Sequence, residues 1–147
     1  MTTYQGRCHC GAVGFEFATE VDPAAWSVRA CQCSFCRAHG ALSTSDPRGH
    51  IRFRASSPAH QTRYRFGLRT ADFLICTRCG VYVGALTEIG GRVYGIVNIR
   101  ALDPIPADVS EPRAMTYEGE TAGARAERRA ERWSPAQDAT TKRSAVS

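Results

Sequence analysis

The chain has 147 residues, of which 43% are hydrophobic and 22% charged, and its formal net charge is +5. That balance is ordinary for a folded domain and excludes a fully disordered chain. No apolar run approaches the ~18 residues a membrane-spanning helix needs, and the length fits a single domain. The opening residues, Met1 to Cys8, lack the basic start and apolar stretch of a signal peptide, so a reducing cytoplasm is the expected setting. In that setting seven cysteines, an odd number, argue for metal binding or catalysis and against a disulfide framework. Lys142 is the only lysine among 19 basic residues, and before residue 120 the arginines form no block of like charge. A surface that tracks nucleic acid phosphates is therefore not expected.

In chain order the elements read as short strands. Phe15 and Phe17 flank Glu16 in strand alternation. The segment from Cys33 to His39 is the one expected helical turn. Ile51-Arg52-Phe53-Arg54 and Arg63-Tyr64-Arg65-Phe66 alternate apolar and basic residues, the period of strands with one face wet. Phe73-Leu74-Ile75 and Val81-Tyr82-Val83 flank the last cysteine pair, and Gly90-Gly91 introduces a β-rich run from Val93 to Ile99. No segment before residue 113 carries a helical apolar stripe, so residues 1–112 read as a mainly antiparallel β domain. After Pro104 and Pro106 the composition shifts, and residues 113–147 read as a C-terminal extension, partly helical or disordered. Residues 124–132 can form a helix, although Arg125/Arg129, Glu127/Glu131 and Arg128/Arg132 are like-charge pairs that weaken an isolated one. Trp133 is the only large apolar side chain after residue 119, and the last dozen residues are expected to fray. On this reading truncation after Gly119 leaves the domain folded.

The cysteines fall into three groups: Cys8 and Cys10, then Cys31, Cys33 and Cys36, then Cys76 and Cys79. Thiolates at tetrahedral zinc lie about 2.3 Å from the metal, hence roughly 3.8 Å apart. A Cys-x-x-Cys turn meets that spacing, whereas Cys-x-Cys meets it only where the chain bends. Gly11 and Gly80 follow the second cysteine of their pairs, where positive φ lets backbone N–H groups turn toward sulfur. Cys31, Cys33 and Cys36 can wrap one metal locally, which leaves Cys8, Cys10, Cys76 and Cys79 for another. Four thiolates close a structural site; three leave a position open for water or substrate. Arg7, Arg78 and Arg37 stand beside ligands as compensating charges. A second, closed site completed by His9, His39, His50 or His60 is the alternative for the group of three. Ser34 serves either as a donor to a thiolate or as a cap for the local turn.

Cys-x-Cys-Gly near the start, Cys-x-Cys-Ser-x-Cys some twenty residues later and Cys-x-x-Cys-Gly beyond resemble the glutathione-dependent formaldehyde-activating enzyme family, which includes centromere protein V. The similarity runs from about Tyr4 to Pro104 and takes in Asn98 and Leu102-Asp103. It implies a β-tent of small antiparallel sheets pinned by a structural zinc at Cys8, Cys10, Cys76 and Cys79, ahead of the short polar C-terminal tail that the composition shows. It also implies a catalytic zinc at Cys31, Cys33 and Cys36, hence two Zn2+ per chain. The implied activity is that of a carbon–sulfur lyase acting on a small thiol or thiol–aldehyde adduct such as a glutathione derivative, with Arg37 as first candidate to meet an anionic substrate. A non-catalytic zinc-pinned β module that binds a protein or nucleic acid partner is the competing expectation.

Overall fold

A computed structural model describes residues 1–140; the expectation of a frayed end for residues 141–147 lies outside the described residues. In chain order the elements are β1 (Thr2–Arg7), β2 (Val13–Thr19), β3 (Arg29–Cys31), helix α1 (Ser34–His39), β4 (Ser43–Thr44) and β5 (His50–Ala55). Then come β6 (Gln61–Tyr64), β7 (Asp72–Cys76), β8 (Tyr82–Ile89), β9 (Arg92–Asn98), β10 (Arg113–Met115), helix α2 (Ala122–Arg132) and β11 (Ser134–Asp138). The protein is mainly β, as the alternating pattern and short runs predicted.

The alternation in β2 and β5 builds the first half of the core. Val13, Phe15, Phe17, Ile51 and Phe53 are fully buried, and the antiparallel register sets Phe15 opposite Phe53 and Phe17 opposite Ile51. The Phe15 and Phe53 rings meet edge to face at 6.0 Å, the arrangement their quadrupoles favour. Gly6, opposite Phe15 on β1, lies so close to that ring that a Cβ would come within 2.1 Å of it, which no side chain tolerates. Leu74, Val83 and Val97, from β7, β8 and β9, complete the core from the other side.

β9 joins the halves. One edge pairs with β8 along its length, from Ile89 opposite Arg92 to Gly84 opposite Val97. Its other edge is shared: Tyr94 and Gly95 pair with β11, while Val97 and Asn98 pair with β4. β11 in turn lies parallel to β5, with Ala136 opposite Ile51, so it bridges β1-β2-β5 to β9-β8-β7-β6. β10 adds a second parallel pairing, to β3.

Two local expectations change. Residues 136–138 were expected to fray but are part of β11, because the strand finds open edges on both β5 and β9. The alternation Arg63-Tyr64-Arg65-Phe66 does not extend β6 past Tyr64 or turn its apolar residues into the main core. Tyr64 is 47% exposed and, with Phe66, stacks on Phe35 of α1. Arg63 instead pairs with Asp72 and Asp138, tying β6 to β7 and β11.

Candidate active site and metal centre

The four outer cysteines sit in two turns built alike. Cys8 and Cys10 occupy the β1–β2 turn; Cys76 ends β7, and Cys79 lies in the turn to β8. The Cys8 N–H donates to the Val13 carbonyl at 2.8 Å, and the Cys76 N–H donates to Val81 at 3.0 Å. Gly11 and Gly80 donate back to the Cys8 and Cys76 carbonyls at 3.1 and 2.9 Å. Both glycines have positive φ, +83° and +78°, as their place after the second cysteine predicted. The turned backbone aims N–H groups at sulfur: Val13 donates to Cys8 Sγ at 3.3 Å and Arg78 to Cys76 Sγ at 3.4 Å.

The Cys8–Cys10 and Cys10–Cys76 sulfur separations are 3.7 and 3.6 Å, near the tetrahedral edge of a four-thiolate zinc. All four sulfurs lie within 4.8 Å of one another, so the set fits zinc. Burial pushes the Cys76 thiol up to about 11. At Cys79 burial acts the same way but is outweighed by the N–H groups of Cys10 and Val81, which bring that thiol down to about 6. The Arg7 guanidinium donates to the carbonyls of Cys8 and His9 at 3.3 and 3.1 Å and so holds the turn, while Arg78 is exposed.

The other three cysteines come from one short stretch. Cys31 closes β3, and Cys33 caps α1, its sulfur accepting the Cys36 N–H at 3.4 Å. The cap is thus a cysteine and not Ser34. Gly40, at φ +60°, ends the helix after six residues. The three sulfurs lie within 4.8 Å of one another, and among the described residues no histidine joins them. His39, at ligand-like spacing, turns its ring onto Phe35 at 4.5 Å and Tyr82 at 5.7 Å. His60 pairs with Ser56 through Nδ1 at 2.8 Å, and His9 and His50 are exposed.

The three thiols perturb one another. The hydrogen bond with Cys36 brings Cys31 down to about 5, against the effect of burial and aided by Cys33 and the Arg128 charge. The same bond, with burial, holds Cys36 far above the ordinary thiol value. Tyr82, fully buried beneath them, is raised by burial and by the field of the three cysteines. Its hydroxyl has no partner among the described residues. Behind the cysteines, Asn98 ties β8 to the segments beside it. Its Nδ2 donates to the Tyr82 carbonyl at 2.9 Å, and its Oδ1 accepts the N–H groups of Leu42 and Arg100 at 3.4 and 3.2 Å.

Cys31, Cys33 and Cys36 open on a cavity of about 570 Å³, within the range of small-molecule sites. Phe73, Ile96 and Trp133 supply apolar wall, and Arg37 stands at the cavity as an exposed side chain. The sequence reading missed the other arginines of the lining, Arg29 of β3 and Arg125, Arg128 and Arg129 of α2. A signal was available, because Arg125, Arg128, Arg129 and Arg132 follow the i, i+3, i+4, i+7 spacing of one helix face. The like-charge pairs within α2 are offset by contacts beyond the helix. Glu120 accepts from Arg125 Nε at 3.1 Å and from Arg128 Nε and Nη2 at 2.8 and 3.0 Å. Arg128 also lies 3.6 Å above the Tyr117 ring, and Arg129 lies 4.8 Å above Trp133.

A family model described as glutathione-dependent formaldehyde-activating enzyme matches residues 3–120. A crystal structure of a Rhodobacter sphaeroides protein, a structural genomics target, is similar at 30% sequence identity with a TM-score of 0.58. The match covers 76% of this chain and 99% of that one. Among the described residues, no helix is long and apolar enough to cross a membrane.

Proposed function

Because the chain belongs to the glutathione-dependent formaldehyde-activating enzyme family, we propose that it makes or breaks the carbon–sulfur bond between formaldehyde and a small thiol such as glutathione. In the forward direction sulfur adds to the carbonyl carbon, the carbonyl π bond opens, and the thiol proton ends on oxygen. The observation that carries this reading is positional. Cys31, Cys33 and Cys36 line the cavity, whereas Cys8, Cys10, Cys76 and Cys79 do not. The two sets then divide as a catalytic and a structural zinc site, on a lyase working in the cytoplasm. When bound by three thiolates, zinc supplies Lewis acidity and lowers the pKa of a group entering its open position.

The chain's own residues do the remaining work. Cys31, brought down to about 5, favours a cation, whereas Cys36 would give up its proton when the metal binds. The Cys33 cap fixes the first turn of α1, Asn98 ties Leu42, just beyond that helix, to β8, and Cys36 packs in one buried cluster with Tyr82 of β8. Phe73, Ile96 and Trp133 keep water from the apolar side of the cavity. The test is adduct formation and breakdown followed by NMR for a panel of thiols with formaldehyde, with zinc quantified in parallel. Wild type is expected to accelerate at least one adduct, and Cys33→Ser to lose that activity with about one zinc per chain. A fully zinc-loaded wild type that accelerates none would overturn the reading, and partner binding retained in Cys33→Ser would favour a non-catalytic module.

A further inference from the structure

The cavity holds more positive charge than its own acids neutralise. Arg125 and Arg128 share Glu120. Arg29 and Arg129 form no ion pair among the described residues. Arg129 is only 8% exposed; its one hydrogen bond, from Nη1, goes to the neutral Thr70 hydroxyl at 2.8 Å, and its Nε has no partner. Arg29 donates to Ser45 and Ser27, again neutral, at 2.7 and 3.4 Å. A buried guanidinium with an unused donor is costly to keep in a fold and is expected to have a partner. Burial and the neighbouring Arg128 and Arg125 charges lower Arg129 to about 10, so it remains a cation at neutral pH.

Placement links both arginines to the thiols. Arg29 and Cys31 are two apart on β3, which puts them on one face about 6.5 Å apart along the strand. Both line the cavity, as does Arg129. Ser45 ties the walls together, accepting from Arg29 and donating to the Arg132 carbonyl at 2.6 Å. α2 lies beyond residue 120, where the family match ends, so this part of the site belongs to the chain's own C-terminal segment.

We propose that Arg129 and Arg29 form an anion subsite that receives a carboxylate of the ligand while its sulfur end faces Cys31, Cys33 and Cys36, so that the C-terminal helix selects acidic thiols over neutral ones. The orientation of the sulfur rests on the function proposed above; the carboxylate contact does not. Guanidinium forks match carboxylates in planar, two-point geometry, and a charge-assisted bond in a buried site is stronger than a neutral one. Trp133, stacked under Arg129, keeps the fork oriented.

The test uses the zinc-loaded full chain and a ligand that cannot react: S-methylglutathione against its dimethyl ester, by calorimetry. Wild type is expected to bind the free acid at least tenfold more tightly than the ester. Arg129→Met and Arg29→Met should each lose about tenfold in affinity for the acid and leave the ester unchanged. Arg129→Met should also melt at the same temperature as wild type or higher without ligand, since it removes a buried uncompensated charge. Should Arg129→Met fail to fold, Arg29→Met, whose side chain is only partly buried, carries the same comparison. Equal binding of acid and ester by wild type, or an unchanged preference in Arg29→Met and Arg129→Met, would overturn the subsite. Inorganic phosphate binding more tightly than the acid would overturn the carboxylate assignment. Failure of turnover with the acid preference intact would instead count against the carbon–sulfur chemistry alone.

Discussion

The two cysteine sets have the same donor atoms and different surroundings. Cys8, Cys76 and Cys79 belong to, or pack on, the main core; each turn is fastened by the same local pair of backbone hydrogen bonds, and the two turns meet at Cys10 and Cys76, 66 residues apart in sequence. Cys31, Cys33 and Cys36 sit in a separate cluster with Tyr82, Ala41 and the Phe35 ring, against a cavity whose wall comes from α2. On the division proposed above, thiolates held by two hairpin turns pin the sheet, and thiolates running from the end of β3 into α1 beside a cavity become available to a ligand. The difference lies in what surrounds the sulfur.

The largest expected effect follows from the pin. Cys76→Ser or Cys10→Ser should abolish soluble folded protein or collapse its melting temperature, because binding energy at a structural zinc, about 10 kcal/mol or more, is folding energy. Cys33→Ser should instead remain folded with less zinc, helped by serine's own competence as a helix cap. Circular dichroism melts with metal analysis check the pair, and equal losses in all three variants would erase the distinction.

Truncation after Gly119 comes next, and the strand pairing reverses the tolerance expected from sequence. It removes the strand that bridges β5 and β9 and, with it, the buried Trp133. A fall in melting temperature comparable to losing a large buried aromatic, about 3–5 kcal/mol or more, is expected. A truncated chain that melts like wild type would show that β11 is dispensable. Asn98→Ala should cost about 1–3 kcal/mol, since it strands the Tyr82 carbonyl and two N–H groups. Urea midpoints measure it, and an effect below a few tenths would mean that these three groups find other partners.

The smallest effect is electrostatic and confined to the cavity wall. Hydrogen bonds from Arg128 and Arg125 hold the Glu120 carboxyl below its ordinary value, against some burial. A carboxyl depressed in the folded state adds stability above its unfolded value and loses it as pH falls through the folded one. Melting temperature should therefore decline below about pH 4.5 by an amount worth less than about 1 kcal/mol after solvent screening. Glu120→Gln should flatten that decline, and an unchanged acid profile in the variant would remove Glu120 as its source.

The residue pattern alone determined the β character, the alternation that buries Phe15, Phe17, Ile51 and Phe53, and the short helix at Cys33–His39. It also determined which cysteines can come together, because ligand spacing and the glycine after each pair are local geometry. Those signals work because period, turn chemistry and loop closure act over a few residues. The role of the last segment depended on distant partners. Like charges at i, i+4 argue against a helix when it is counted in isolation, and only Glu120, Tyr117, Thr70 and Trp133, brought to the same wall, offset them. Likewise β11 is a short polar run with little strand signal of its own, and it is a strand because β5 and β9 each present an edge that one more backbone can satisfy. β11 pairs with Gly95 and Ile51, and Arg129 meets Thr70, 59 residues back, so the last segment carries little record in its own composition of the wall it completes.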